Sequence, residues 1–183
     1  LTRSVAEVLG IERVGVWKKE SDGLVAQSIY RRSSNTFETG VKLSEKEFPE
    51  YFSAIEQARM IEASDVRQHP DTKQLAEGYF SMEGVRSVLD VPIFINGEVA
   101  GALCCAQYET MGLWDGEDIN FVKSVSDFVA LTYEASKRKE LEREYHYILN
   151  NDGDIIYTTD ELGNFKFINK IDYQYTTQLH LCL

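Results

Sequence analysis

An α+β fold is what this sequence predicts: a central antiparallel sheet with helices on both faces and a long helix toward the C-terminal end. Three observations carry it. The run SVLDVPIFINGEVAGALCCAQ, residues 87–107, is two apolar segments joined by Asn96-Gly97. Asn-Gly between apolar runs is a strong hairpin signal, because both turn residues take positive φ. RVGVWKKE and LVAQSIYRR flank Ser21-Asp22-Gly23 in the same way and read as a second strand pair. From about Asp115 to Asn150 the chain reads as one uninterrupted helix.

The elements follow in order. LTRSVAEVLG reads as an amphipathic helix with Val5, Val8 and Leu9 on one face, stopped by Gly10. The two strands around Ser21-Asp22-Gly23 come next. EKEFPEYFSAIEQARM carries Phe48, Phe52 and Ile55 at helical spacing, and Pro49 is tolerated only in a first turn, so the helix starts there. IEASDVRQHPDT reads as a short strand and a loop, and TKQLAEGYFSMEG as a short helix closed by Gly84. In the Asn-Gly hairpin, counting outward sets Ile95 opposite Glu98, Ile93 opposite Ala100, Val91 opposite Ala102 and Leu89 opposite Cys104. Phe94, Asp90 and Val88 then lie on the other face with Val99, Leu103 and Cys105. Both faces are largely apolar, so both are expected to be covered. Pro92 cannot donate to a ladder, so its outer side is expected to be unpaired or bulged.

The long helix changes character along its length. Ile119, Phe121, Val122, Val125, Phe128 and Val129 make its first half fit to pack on a sheet. The second half is mostly charged. Leu131, Glu134, Arg138, Leu141, Tyr145 and Ile148 recur in steps of three and four, a heptad-like seam flawed by Glu134 and Arg138. A homodimer through this helix is the partner expected; a solvated surface helix is the plain alternative. Two short strands, Ile155–Tyr157 and Phe165–Ile168, are expected in the tail.

The 183 residues are 43% hydrophobic and 27% charged, enough to bury a core. A net charge of -11 repels phosphate backbones and anionic lipid, so nucleic acid and direct membrane insertion are not expected. No apolar run is long enough to span a bilayer. A chain beginning at Leu1, with no signal-peptide pattern, reads as a piece of a longer protein. Three cysteines, two of them adjacent, make no disulfide framework, and a reducing cytoplasm is the expected setting.

GVRSVLDVPIFINGEVAGALCCA, with its Ser, Val-Pro and post-turn Gly, resembles the central hairpin of a GAF domain. ASDVRQHPD resembles that family's Asp-containing loop, and GLWDGEDINFVKSVSDFVALTYEA its closing helix. ILNNDGDIIYTTDELGNFKFIN resembles the entry to a PAS domain, but the likeness stops after Asn169. The resemblance implies a GAF sensor domain over 1–136, a helical coiled-coil linker over 137–150 and a truncated PAS-like segment over 151–183. It implies a ligand-sensing and dimerisation module of a signalling protein. The parent would then be a sensor histidine kinase or diguanylate cyclase, whose output domain is not in this sequence. The fragment itself is expected to catalyse nothing.

An enzymatic alternative is the GAF-type free-methionine-sulfoxide reductase. It uses a cysteine just ahead of the Ser-to-Pro strand, where this chain reads GYFSMEGV. It also has carboxylates where this chain has Val88, Cys104 and Ala106. Cys104 and Cys105 point to opposite faces of a strand, so they are expected to pack rather than react. Asp65, His69 and Asp71 offer one histidine, too few ligands for a metal, and Asp65 is expected to shape its turn. His146 and His180 join no cluster. Bilin and cyclic nucleotide, the family's best-known ligands, lack their cysteine and their motif here, so no cofactor is expected beyond an unknown small molecule. The expected pocket wall is Tyr30, Phe52, Leu75, Tyr79, Phe80, Leu89 and Cys104, with Asp65, Arg86 and Ser87 as polar candidates. The Leu89 and Cys104 face is taken to look into it. The alternative is that these side chains simply fill a core.

Overall fold

The computed structural model describes residues 1–57, 60–80, 84–108, 114–151 and 157–168, with side chains of the last helix through 147. The chain divides into two compact units, Leu1–Thr132 and Tyr133–Leu183. In chain order the first holds α1 (Thr2–Leu9), β1 (Arg13–Glu20), β2 (Gly23–Arg31), β3 (Thr36–Glu38) and β4 (Lys42–Ser44). It continues with α2 (Pro49–Glu56), β5 (Ile61–Ala63), α3 (Lys73–Glu77), β6 (Val85–Ile95), β7 (Glu98–Tyr108) and the start of α4 (Gly116–Asn151). Seven strands form one antiparallel sheet in the order β3-β2-β1-β7-β6-β5, and β4 shares the outer edge of β2 with β3. β3 and β4 are three-residue, mostly polar strands with no period-2 run long enough to read in the sequence.

Local chemistry sets the ends. Gly10 closes α1 in the left-handed conformation, φ 67°, and α2 starts at Pro49. Val5 and Ala6 bury against the sheet, but Val8, expected beside them, is exposed: it lies a turn's fraction away from the Val5–Leu9 line. The Asn-Gly turn is as read, with φ 53° at Asn96 and 82° at Gly97.

The hairpin register is not as counted. Ile95 pairs with Glu98 and Phe94 with Val99, but Ile93 then pairs with Gly101, leaving Ala100 as an extra residue on β7. Beyond this bulge Val91 faces Leu103, Asp90 faces Cys104 and Leu89 faces Cys105. One inserted residue moves every later side chain of its strand to the other face. β5 pairs only with Val88–Asp90, so the outer side of Pro92 has no strand beside it among the described residues.

Each face of the sheet carries its own core. Trp17, Ala26, Ile29, Val88, Ala102 and Ala106 pack under Tyr51, Phe52 and Ile55 of α2 and Leu75 of α3. Tyr30, Leu89, Val91, Leu103 and Cys105 pack under Val5 and Ala6 of α1 and Val122 of α4. Burial of each large side chain favours the fold by roughly 1.5–3 kcal/mol. Among the described residues no helix is long and apolar enough to cross a membrane.

In the second unit, β8 (Tyr157–Thr159) and β9 (Phe165–Ile168) pair antiparallel. The Asp160 carboxylate accepts from the amides of Leu162 (3.0 Å) and Asn164 (2.9 Å), which forms the turn. The strand expected over Ile155–Tyr157 is described only from Tyr157; Ile155 lies outside the described residues.

Candidate functional site

Between the sheet and α2 and α3 lies a small cavity. Its floor is one patch of three strands: Arg13, Gly15 and Trp17 of β1, Cys104 and Ala106 of β7, and Val88 and Asp90 of β6. Pairing aligns Gly15, Cys104 and Asp90 in one row across the sheet, and Arg13, Ala106 and Val88 in the next. Tyr51 of α2, Leu75 of α3, Tyr79 and Phe80 complete its lining, with Leu43 of β4. Its volume is about 20 Å³, room for about one water molecule.

Gly15 makes this geometry possible. A Cβ there would come within 2.7 Å of Trp17 Nε1, so the indole lies over the bare glycine in the row that leads to Asp90. That indole N–H is buried with no hydrogen-bond partner among the described residues.

Asp90 is the unusual member, a carboxylate only 1% exposed. Tyr51 Oη donates to its Oδ2 at 2.9 Å and lies 3.6 Å from Cys104 Sγ. Oδ1 has no hydrogen-bond partner among the described residues. Burial pushes the Asp90 carboxyl up to about 6, against the opposing hydrogen bonds of Tyr51 and Cys104 and the charge of Arg13. Burial, reinforced by Asp90, also pushes the Tyr51 hydroxyl and the Cys104 thiol well above their ordinary values. Arg13 is itself 4% exposed; it bonds the Tyr79 hydroxyl and lies 5.0 Å from that ring's centre.

The structure brings together Leu75, Tyr79, Phe80 and Cys104 of the expected wall and separates the rest. Tyr30 and Leu89 sit on the opposite face: Tyr30 pairs with Val14, and its hydroxyl donates to Asn35 Oδ1 at 3.1 Å. Leu89 is there because the Ala100 bulge sets it opposite Cys105. The expectation that Leu89 and Cys104 share a face is therefore corrected, and Asp90 takes Leu89's place beside Cys104. Phe52 is buried in the same core, edge-on to Tyr51 at 5.7 Å, but Tyr51 supplies the lining. Ser87 is fully buried opposite Gln107, alternating with the cavity residue Val88. Asp65 and Arg86 lie outside the lining, 4.0 Å apart. Asp65 Oδ1 accepts the Arg67 amide at 3.1 Å, as a turn-forming Asp does. Arg13, Trp17, Tyr51 and Asp90 were not singled out from the sequence. An Asp inside SVLDVPIFI, apolar on both faces, was the available signal.

On α4, Leu131, Leu141 and Tyr145 are 65%, 56% and 63% exposed. Arg138 pairs with Glu142 at 3.1 Å along the helix. The side chain of Ile148 lies outside the described residues. Nearer the sheet, Ser126 is buried, and its hydroxyl donates to the Pro92 carbonyl of β6 at 2.9 Å.

Residues 1–133 match the GAF domain family. The chain belongs to that family. The GAF fold is shared with solved structures of low sequence identity. The GAF domain of Thermosynechococcus elongatus PixJ, in its blue-light-absorbing form, is 18% identical, with a TM-score of 0.65, covering 79% of this chain and 86% of that one. A phycoerythrobilin-bound GAF domain from a cyanobacterial phytochrome is also 18% identical, with a TM-score of 0.65 and coverage of 76% and 84%. A red/green cyanobacteriochrome in its red-light-absorbing state is 14% identical, with a TM-score of 0.64 and coverage of 75% and 91%. No curated protein matches the sequence.

Proposed function

We propose that this GAF domain is the sensory module of a signal-transduction protein. The state of the Asp90 cavity is passed through β6 to α4, and two copies pair along α4. The observation that carries this reading is on β6. Asp90 faces the cavity, and two residues on, the Pro92 carbonyl holds Ser126 of α4 at 2.9 Å. A change at the carboxylate thus acts on a strand bonded directly to the outgoing helix. Such coupling requires two states that the signal distinguishes, because an input acting equally on both shifts nothing. The exposed Leu141 and Tyr145 supply the pairing seam. The output domain proposed for the parent is a histidine kinase or a diguanylate cyclase, and the setting a reducing cytoplasm.

Amide hydrogen exchange along α4 tests this in the whole chain. Asp90→Asn is expected to change protection in residues 119–147. Identical exchange in both proteins would overturn the transmission route.

The solved relatives bring a bilin into consideration as cofactor. The residues here do not fit one. A cavity of about 20 Å³ compares with roughly 300–1,000 Å³ for ordinary ligand pockets. Cys104 and Cys105, the cysteines in the described part, sit on β7 with thiols pushed up by burial, the opposite of a nucleophile. Phycocyanobilin or biliverdin added to the apoprotein is expected to keep its free absorbance spectrum. A shifted, tightly retained band would establish a bilin site instead.

A further inference from the structure

The cavity is too small for an organic ligand, yet one of the residues lining it is a buried carboxylate. A carboxylate taken out of water is disfavoured as the anion unless its oxygens are paired. Asp90 Oδ2 is paired with the Tyr51 hydroxyl, whereas Oδ1, like Trp17 Nε1, is buried with no partner among the described residues.

We propose that the ligand of this cavity is the proton, taken up by Asp90 on Oδ1. This rests on the reading that the signal enters at the cavity. The geometry is specific about which oxygen reacts. Oδ2 already accepts the Tyr51 hydroxyl, whereas Oδ1 is the open one. On protonation an O–H bond forms at Oδ1 with a proton taken from solvent hydronium, which is left as water. The carboxylate becomes a neutral acid, and Oδ2 continues to accept from Tyr51. The charge that burial disfavours disappears without loss of the anchoring hydrogen bond.

The groups facing Asp90 leave it as the one that titrates. From α2 comes Tyr51 and from β7 Cys104, both kept neutral by burial. From β1 comes Arg13, whose guanidinium donates to the hydroxyl of Tyr79 from the segment after α3. From β5 its partner in register is the apolar Ile61. The carboxyl's value of about 6 agrees with this assignment.

The test is a carboxyl carbon-13 titration of the intact chain labelled at aspartate, from pH 4.5 to 8, with Asp90 assigned by its loss in Asp90→Asn. The indole N–H of Trp17 is followed in parallel in a Trp114→Phe background. The expected result is a carboxyl midpoint near 6, with the Trp17 resonance moving at the same midpoint and still in Asp90→Asn. Tyr51→Phe removes a bond that favours the anion, so it raises the midpoint. Should Asp90→Asn not fold, the wild-type titration and the Tyr51→Phe shift decide alone. A carboxyl with an ordinary midpoint near 4, one that stays protonated to pH 8, or a Trp17 signal blind to the titration would each overturn the proposal. Exchange along α4 is recorded on the same samples. If α4 is unmoved while Asp90 titrates near 6, the proton site stands and the transmission route falls.

Discussion

Asp90 is held by packing that disfavours its own charge, and this has a consequence for stability. Its carboxyl moves from 3.8 to about 6 on folding. The folded state therefore binds the proton more tightly than the unfolded chain does. The stabilisation is fully present below about pH 3.8 and is lost as pH rises through about 6. The difference amounts to about 3 kcal/mol. Asp90→Asn keeps an acceptor for Tyr51 and carries no charge. Urea titrations of both proteins at pH 4.5, 6 and 8 are expected to show the variant gaining on the wild type by about 2 kcal/mol across this range, the part of the difference that lies above pH 4.5. A gap that stays constant across this range would show that Asp90 is not strained by its charge. The residue was visible in the sequence as an Asp in an apolar strand. Its side of the sheet was not, because that depended on a bulge at Ala100, three residues past the turn.

Elements were legible where period and punctuation agreed. Pro49 opens α2, Gly10 closes α1, and Asn96-Gly97 makes the turn it advertises. Register was less legible, because counting from a turn assumes an unbroken ladder, and Ala100 breaks it. Leu75, Tyr79, Phe80 and Cys104 were placed at the cavity by this reading, whereas Tyr30 and Leu89 fell on the far face. α4 poses the opposite case, a pattern whose apolar members are exposed. Leu141 and Tyr145 are 56% and 63% exposed and four residues apart, hence on one face. Replacing both with Glu is expected to turn a dimer into a monomer in sedimentation velocity. Because neither side chain is buried, the unfolding midpoint of the first unit should hold to within about 0.5 kcal/mol. Dimers that survive the double substitution would move the seam elsewhere, with the exposed Phe128 and Leu131 the next residues to change.

At the scale of the whole molecule, the two units differ in kind. Leu1–Thr132 has a seven-stranded sheet with a core on each face, and the family match ends at residue 133. Residues 131–147 of α4 are all exposed. Sensing and pairing should therefore be separable by truncation. A chain ending at Ser136 keeps the cavity, the Ser126–Pro92 bond and both cores. It is expected to unfold cooperatively, within a few degrees of the full chain, and to show the same Asp90 titration, while sedimenting as a monomer. The comparison needs calorimetry and sedimentation velocity on the two lengths. If the shorter chain still dimerises, pairing belongs to the sheet unit and α4 only extends it. If it fails to fold, the residues after 136 support the core, and the division of labour between cavity and helix is wrong.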